Sequence, residues 1–406
     1  MTFLFAWRYF KAKKSTNAIN IIAWISIVAI IFGTAALILV LSVFNGFEGL
    51  VKSLYSSFYT DLKVSPVSGK TITVTQEQLQ QLKGLKGIKN FSLVVEEKAL
   101  VQNGEYQSMV YLKGVDENYR YTTGVADHIV NGQYDLGSEA TPKLLLGAGV
   151  ENALGIVADR NIFTLKVYLP RKSRTEQINM FEDISSDTIR SSAAFMIQQD
   201  FDNKYGITNI DFIKRALKLE ADQYSGIEIA LKDPGESGMV KSAVKKIFGE
   251  TYLVQNKYEQ NQSLYSVMNM ERWAIYGILC LIMIVAAFNM IGALTMLVLE
   301  KKKDISILHA LGGSRQFVGR VFLSEGLLLA LIGGGIGMLL ALLIAWLQTT
   351  FHLIPLGGSF LINHIPVKLR LIDFLLIGAT VFLISFIASW IPARKAADQE
   401  FSLRSE

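Results

Sequence analysis

The chain has 406 residues, of which 51% are hydrophobic and only 18% are charged. This balance excludes an ordinary soluble protein of this size and predicts an integral membrane protein. The net charge of +5 comes from basic residues in short segments beside the apolar runs, so no nucleic-acid-binding face is predicted. The single cysteine, Cys280, lies within an apolar run, and one cysteine excludes an intrachain disulfide.

The N-terminal segment, residues 1–20, is basic and amphipathic. Its apolar side chains recur at helical spacing between basic ones: Phe3, Leu4, Trp7 and Phe10 against Arg8, Lys11, Lys13 and Lys14. This pattern predicts a helix lying on the cytoplasmic face of a membrane. Residues 21–44 then form an apolar run long enough for transmembrane helix 1, with no small-residue cleavage site at its end. The positive charges before this run place the N-terminus in the cytoplasm.

The next segment, residues 45–272, has no run that is both long and apolar enough to span a membrane. Alternating patterns and turn residues predict a large periplasmic α+β domain there. The predicted strands are 61–66, 71–75, 91–101, 106–115, 162–169, 227–231 and 252–255, and the predicted helices are 76–86, 144–154 and 237–248. Asn103-Gly104 between two of these strands is the strongest hairpin signal in the chain.

A polar stretch interrupts this domain at residues 170–192, which read PRKSRTEQINMFEDISSDTIRSS. A loop this long within a compact domain is either disordered or functional. Met180 and Phe181 lie at its centre, and two exposed apolar side chains on a polar arm would suit the surface of a partner. The segment from Pro170 is therefore predicted to be a partner-binding arm.

Three further apolar runs, residues 273–299, 317–347 and 371–391, predict transmembrane helices 2, 3 and 4. Gly333 and Gly337 in the third helix are spaced to let another helix approach closely. Residues 348–370 form a periplasmic loop and residues 392–406 a cytoplasmic tail. The basic residues that border the runs lie on the same side as the N-terminus, so both termini are predicted to be cytoplasmic. The fold class is a membrane protein with four transmembrane α-helices and a large α+β periplasmic domain between helices 1 and 2.

Residues 300–316, which read EKKKDISILHALGGSRQ, cannot lie in hydrocarbon and must face the cytosol. Ile305, Leu308 and Leu311 recur at a spacing of three, which predicts one apolar face on a short helix. Gly312 ends that helix, and Glu300 with Lys301 positions the turn before it. Two helical turns are not stable alone, so this segment is predicted to dock a cytosolic protein.

Enzymatic motifs are weak throughout the chain. Gly69-Lys70-Thr71 matches the end of a phosphate-binding loop, but Val64 stands where its first glycine belongs. The four histidines have no metal-ligand spacing, and no nucleophile with its base can be assembled. We therefore predict no catalytic residues, no metal site and no cofactor bound by this chain.

Several segments carry a family resemblance. SVFNGFE after the first span, LYSVMNMERWAIYGILCLIMIVAAFNMIGALTMLVLEKKKDISILHALGGS and the terminal IPARKAA resemble the lipoprotein-releasing ABC permeases of Gram-negative bacteria, of the LolC/LolE type. In the outer domain, YLKGVD and LLLGAGVENALGI are also similar to that family. The order of elements matches along the whole chain. The segment around residues 300–313 is less specific, because macrolide-exporter and FtsX-like permeases share it.

The resemblance implies a permease subunit in the bacterial inner membrane. It implies that ATP and Mg²⁺ are bound by a separate cytosolic ABC ATPase dimer, onto which residues 300–316 dock as a coupling helix. It also implies that a second permease subunit, identical or a sister chain, completes the transporter. The resemblance further implies lipoprotein substrates, membrane lipids at the spans, and a periplasmic carrier recruited by the arm at Pro170, Met180 and Phe181.

Five residues near the outer ends of the first two spans are candidates for lining a lipid cavity: Phe44, Phe47, Tyr265, Met268 and Trp273. Aromatic residues at this depth are also ordinary interface anchors, so both interpretations stay open. Two alternative functions also stay open. A macrolide-type efflux permease would need a tunnel-forming outer partner, and an FtsX-like signalling permease, which controls cell-wall hydrolases, usually has a much smaller outer domain.

Overall fold

The computed structural model describes residues 17–160, 164–170, 184–356 and 364–398, with the helix alone for residues 17–23. Two compact units divide the chain: Met1–Leu50 with Ser266–Glu406, and Val51–Tyr265. We call the first the membrane unit and the second the outer unit. The outer unit is narrower than the predicted segment 45–272, because the helices on both sides of it continue past the predicted ends of the spans.

The helices are α1 Asn17–Phe58, α2 Gln76–Gly84, α3 Tyr119–Thr122, α4 Ala148–Ala153, α5 Gln199–Asp202, α6 Ile210–Leu217, α7 Ser237–Phe248, α8 Lys257–Gln260, α9 Gln262–Glu300, α10 Lys302–Ala310, α11 Arg315–Phe351 and α12 Leu371–Ala397. The strands are β1 Leu62–Pro66, β2 Ile72–Thr73, β3 Ile88–Asn103, β4 Tyr106–Val115, β5 Ile129–Gly132, β6 Lys143–Gly147, β7 Thr164–Pro170, β8 Ile184–Phe195, β9 Tyr205–Asn209, β10 Gln223–Tyr224, β11 Gly226–Leu231 and β12 Tyr252–Asn256. Short 3₁₀ turns lie at Val125–His128, Ala158–Arg160 and Pro234–Glu236.

Four helices in the described part of the chain are long and apolar enough to cross a membrane: α1, α9, α11 and α12. Each contains one of the predicted spans and continues beyond it at one end or at both. Helix α1 has 42 residues, about 63 Å at 1.5 Å per residue, which is twice the thickness of a hydrocarbon core. Helix α12 continues through Pro392 to Ala397 and does not end at residue 391, because proline near a helix end removes only one hydrogen bond.

Helices α1 and α11 pack closely in the membrane unit, and glycine makes this possible. A Cβ added at Gly337 would lie 2.6 Å from the carbonyl oxygen of Ile31, and one at Gly333 would lie 2.9 Å from the Cβ of Ile30. Both glycines are buried. The predicted role of Gly333 and Gly337 in helix packing is confirmed, since any side chain at either position would push the two helices apart.

The outer unit is built on one large, mostly antiparallel sheet with the order β12-β1-β11-β3-β4-β9-β6-β8-β5, and β7 pairs with both β3 and β8. Strands β4 and β9 are parallel, as are β6 and β8. The predicted hairpin is confirmed, because β3 pairs with β4 from Asn103 and Tyr106 onward. Gly104 has a φ of 58° in the turn, a conformation that glycine adopts without steric cost. The unit is α+β, as predicted.

Two sequence-based assignments in this unit are wrong. Residues 144–154 are not one helix: β6 includes Leu144, Leu145 and Leu146, and only Ala148–Ala153 are helical. The three leucines are all buried in the middle of the sheet, and a short apolar run fits a buried strand as well as a helix.

The predicted arm at residues 170–192 is also shorter than expected. Strand β8 begins at Ile184 and pairs antiparallel with β7, so that Pro170 faces Ile184. The first half of β8 was not recognised as a strand because most of its residues are polar. Its side chains nevertheless alternate between the two faces of the sheet, with Ser185 and Ile189 buried and the positions between them mostly exposed. Met180 and Phe181 lie outside the described residues, as do residues 1–16 of the predicted interfacial helix.

Candidate functional site

The short helix α10, within the predicted coupling segment, is held at both ends. Near its start, the Lys301 ammonium lies 3.1 Å from the Asp304 carboxylate, and Asp304 in the first turn suits the positive end of the helix dipole. At its end, Gly312 has a φ of 88° and the Gly313 amide donates a hydrogen bond to the Leu308 carbonyl at 2.8 Å. The predicted glycine termination is confirmed.

The apolar face of α10 differs from the predicted one. Ile305 is only 2% exposed and packs in a cluster of buried side chains within the membrane unit, which includes Val318, Phe322 and Ala396. Ile305 therefore cannot form a docking surface. Residues three apart drift by about 60° per step around an α-helix, so the series Ile305, Leu308, Leu311 turns from the interior to the surface.

The exposed large apolar residues of this segment are Ile307 at 58% and Leu311 at 80%, and Leu308 is half-buried beside them. We call Ile307, Leu308 and Leu311 the α10 patch. Leu311 lies just beyond the last helical residue, Ala310. Sequence reasoning missed Ile307, although its spacing of four from Leu311 is an equally good helical signal.

One of the five candidate lipid-cavity residues lines the cavity found in the membrane unit. Trp273 is 60% exposed and borders a cavity of about 130 Å³ in the membrane unit. The other lining residues come from α1, α9 and α12: Leu41, Asn269, Arg272, Tyr276, Asp373 and Leu376. Phe44, Phe47 and Met268 are half-buried in the membrane unit and are not among the lining residues.

Tyr265, the fifth candidate, belongs to the outer unit. Its ring stacks on Tyr258 with centroids 4.0 Å apart, and the Lys52 ammonium lies 5.3 Å from its ring centroid. These contacts give Tyr265 a packing role within the outer unit.

The cavity beside Trp273 has a charged wall that sequence reasoning missed. Asp373, at the start of α12, is 4% exposed. One of its carboxylate oxygens accepts a hydrogen bond from the Asn45 amide at 2.6 Å, and the other accepts from the Arg272 guanidinium, also at 2.6 Å. These residues lie on three different helices and are far apart in the sequence. No local pattern could have predicted their contact.

Pro170, the first residue of the predicted arm, is exposed at the end of β7. It borders a cavity of about 310 Å³ in the outer unit, with Leu217 and Leu219 among the lining residues. Lys70 and Glu97 close one side of this cavity through an ion pair at 2.7 Å. The base of the arm therefore combines apolar and charged groups.

The interior of the outer unit holds a buried ion pair. The Lys113 ammonium on β4 lies 2.6 Å from the Glu228 carboxylate on β11, and both side chains are 2% exposed. Burial alone would lower the pKa of Lys113, but the nearby carboxylates of Glu228 and Glu96 raise it above its usual value. The ammonium also lies 5.0 Å from the ring centroid of Phe58. The pair is structural, because it is enclosed on all sides.

Within the described ranges, no group of three or more histidine, cysteine, aspartate or glutamate side chains could hold a metal ion. The rings of His352 and His364 meet edge to face, with centroids 3.9 Å apart. Two imidazoles fall short of the three or four protein ligands usual in a metal centre.

Comparison with known proteins gives matches over both parts of the chain. Residues 276–401 match the family described as FtsX-like permease C-terminal, and residues 23–163 match the family described as MacB-like periplasmic core domain. The lipoprotein-releasing system transmembrane protein LolE of Haemophilus influenzae is 25% identical over 410 residues, covering 97% of this chain and 96% of its own length.

Two proteins named as the lipoprotein-releasing system transmembrane protein LolC are similar to the same extent. The Xylella fastidiosa protein of strain Temecula1 is 25% identical, covering 96% of this chain and 95% of its own length. The Neisseria meningitidis protein is also 25% identical, with the same two coverages. The similarity thus includes all four spans and the outer unit together.

Proposed function

We propose that this chain, a member of the FtsX-like permease superfamily with a MacB-like periplasmic core domain, is the transmembrane subunit of a lipoprotein-releasing ABC transporter. In this function, it extracts lipoproteins from the outer leaflet of the inner membrane and passes them to a periplasmic carrier. The observation that carries the proposal is the similarity to LolE and LolC over 96–97% of the chain, since it includes the outer unit as well as the spans.

The chemistry of the substrate explains why such a protein needs both a cavity and a carrier. A triacylated lipoprotein buries on the order of 45 methylenes, and exposing them costs about 0.8 kcal/mol each, or about 35 kcal/mol in all. Release of the free lipid into water is therefore excluded. The acyl chains must pass from the bilayer to an apolar surface on the permease and from there to an apolar pocket on the carrier.

ATP hydrolysis is assigned to a separate cytosolic ATPase dimer, which would bind ATP and Mg²⁺. The α10 patch is the proposed contact for this ATPase, with Glu300 and Lys301 in the preceding turn and Gly312 ending the segment. Exposure of Ile307 and Leu311 supports this role, because exposed apolar residues of a short helix gain by being covered by a partner. This assignment requires α10 and both termini to face the cytoplasm. The second permease subunit is an identical or a sister chain.

The proposed carrier contact is the arm that begins at Pro170 and includes Met180 and Phe181. Support comes from the pairing of β7 with β8, in which Pro170 lies opposite Ile184, and from the apolar residues that line the cavity beside Pro170. Photo-crosslinkers at positions 180 and 181 should capture a soluble periplasmic lipid carrier, whereas the same crosslinker at the exposed Lys232, on another loop of the outer unit, should not.

Depletion of the protein tests the function as a whole. Lipoproteins destined for the outer membrane should accumulate in the inner membrane, as measured by membrane fractionation and labelling of their acyl chains. If lipoproteins were sorted normally while drug sensitivity rose, an efflux permease would be the better assignment. Normal sorting with a defect in cell separation would favour a signalling permease.

A second experiment tests the ATPase contact on α10. Replacing Ile307 and Leu311 together by serine should abolish co-purification of the ATPase while leaving membrane insertion intact. Lys302→Ser is the matched control, because Lys302 is exposed on the same helix, roughly 140° around its axis from Ile307. If the double variant retained the ATPase at the wild-type level, the docking assignment would be wrong.

A further inference from the structure

The carboxylate of Asp373 joins three membrane helices at one point. Its partners, Asn45 on α1 and Arg272 on α9, each donate a hydrogen bond of 2.6 Å to a different oxygen. Asp373 itself lies in the first turn of α12, where the helix dipole favours a negative charge. A buried ionised group in a membrane protein is costly unless it is fully paired. Asp373 meets this requirement, because each of its carboxylate oxygens accepts a hydrogen bond.

The two sides of this junction are built differently. Between α1 and the segment that enters α12, the backbones are in direct contact. A Cβ added at Gly46 would lie 2.1 Å from the Pro366 carbonyl oxygen, and the Lys368 amide donates to the Ser42 carbonyl at 2.9 Å. Helix α1 cannot shift along this segment without a steric clash, because the close contact depends on the absence of a side chain at Gly46.

The same side carries a second ion pair one turn further along α1. The Glu48 carboxylate lies 3.4 Å from the Arg370 guanidinium, and the Glu48 side chain is 11% exposed. Asn45, the partner of Asp373 on this side, is fully buried. Helices α1 and α12 are thus fixed to each other by backbone contact, an amide and an ion pair.

On the other side, α9 reaches α12 through side chains. The Arg272 guanidinium meets Asp373, and the hydroxyl of Tyr276 meets that of Thr380 one turn deeper. The Arg272 side chain is 29% exposed, compared with 6% for Asp373. The cavity beside Trp273 lies along this contact. Arginine can therefore exchange the carboxylate for water, and its departure would widen an existing space.

We propose that the Arg272–Asp373 ion pair is a latch that holds the outer end of α9 against α1 and α12, and that it opens when α9 moves away. Asp373 is the positioning residue of this latch. When Arg272 leaves, the carboxylate keeps the hydrogen bond from Asn45 and the favourable helix start, so no unpaired charge is stranded in the interior. The pair can then re-form in the same place. The opening of the ion pair does not depend on the proposed function. Only the identity of the molecule that passes through the opening, a lipid, rests on it.

The test measures the distance between α9 and α12 in the full-length protein in lipid nanodiscs. Spin labels are attached at Met270 and Leu371, which are 67% and 78% exposed at the outer ends of the two helices, in a Cys280→Ser background. Arg272→Gln should shift the distance distribution between the labels to longer and broader values. Asp373→Asn, which removes the carboxylate charge and nearly keeps the size of the side chain, should shift the distribution in the same direction.

Arg370→Gln is the matched control, because it breaks the neighbouring ion pair between α1 and the start of α12 without touching α9. It should leave the distance between the labels unchanged. An unchanged distribution in Arg272→Gln would overturn the latch, and so would an equal lengthening in the control or an Asp373→Asn variant that keeps the wild-type distribution. If the distances shift as expected while lipoproteins are sorted normally in depleted cells, the latch stands and the proposed function fails.

Discussion

Substitution of Gly337 by alanine tests the packing of α1 against α11 most directly. The added Cβ would lie 2.6 Å from the Ile31 carbonyl oxygen and 2.8 Å from the Cβ of Thr34, whereas carbon and oxygen atoms normally stay about 3.3 Å or more apart. The helices would have to separate by several tenths of an ångström. Overpacking of this kind costs about 1–3 kcal/mol, and it would be felt along the whole contact because α11 is continuous there.

The matched control is Gly335→Ala, two residues away on the same helix, where an added Cβ meets nothing within 4 Å. Both variants share the gain in helix propensity of about 0.5–1 kcal/mol, so their difference isolates the overpacking. A destabilisation of 1 kcal/mol lowers the melting temperature by about 2–4 °C for a unit of this size. The two variants should therefore differ by about 2–12 °C in thermal unfolding in mild detergent, followed by tryptophan fluorescence. Equal melting temperatures would refute the close approach of α1 to α11.

Three further predictions concern the outer unit. Lys113→Met should leave the buried Glu228 carboxylate with only the more distant Lys63 ammonium, 3.9 Å away, and cost at most about 3–5 kcal/mol. The loss should be seen as faster hydrogen exchange in β4 and β11, and adding Glu228→Met should recover much of it. Thr75→Ala removes the capping box of α2, in which Thr75 accepts from the Gln78 amide, and should cost about 1 kcal/mol, seen as faster exchange of the first α2 amides. The hydrogen bond from Lys143 lowers the pKa of Asp135, so this pair stabilises the fold above the usual carboxyl pKa and its contribution is lost as the pH falls through the lower, folded-state pKa. Because the pair is largely exposed, it is worth less than about 1 kcal/mol, and Asp135→Asn should reduce the loss of unfolding free energy below about pH 5 by that amount.

The sequence predicted the spans well and their ends less well. A run of about twenty apolar residues must be helical in a bilayer, because lipid offers no partner for the backbone. The end of such a helix depends on the adjoining residues that lie in water. Their backbone groups can form hydrogen bonds with water in any conformation, so they are not forced to be helical. Helix α1 continues to Phe58, well beyond the predicted end at residue 44. Asn45 and Gly46 are poor helix formers, but in the folded chain they pack against the segment before α12, and such a tertiary contact is not visible in the sequence.

Short apolar runs were the main source of error in the outer unit and at α10. Leu144, Leu145 and Leu146 fit a buried strand as well as a helix, and only their pairing with the neighbouring strands decided between the two. Ile305 and Ile307 are equally apolar and two residues apart. Ile305 is buried and Ile307 is exposed because α10 packs one side against Val318 and Phe322. The sequence of α10 alone does not show which side of the helix makes that contact.

The sequence by itself determined four helices long and apolar enough to cross a membrane, an α+β outer unit, a hairpin at Asn103-Gly104 and a glycine contact in α11. These features arise from local physics: hydrocarbon thickness, side-chain periodicity and backbone conformation act over a few neighbouring residues. The tertiary structure decided which side chains meet. Asn45, Arg272 and Asp373 are ordinary polar residues near the ends of apolar runs, and their contact depends on how three helices are placed against one another, which is a property of the whole packed membrane unit.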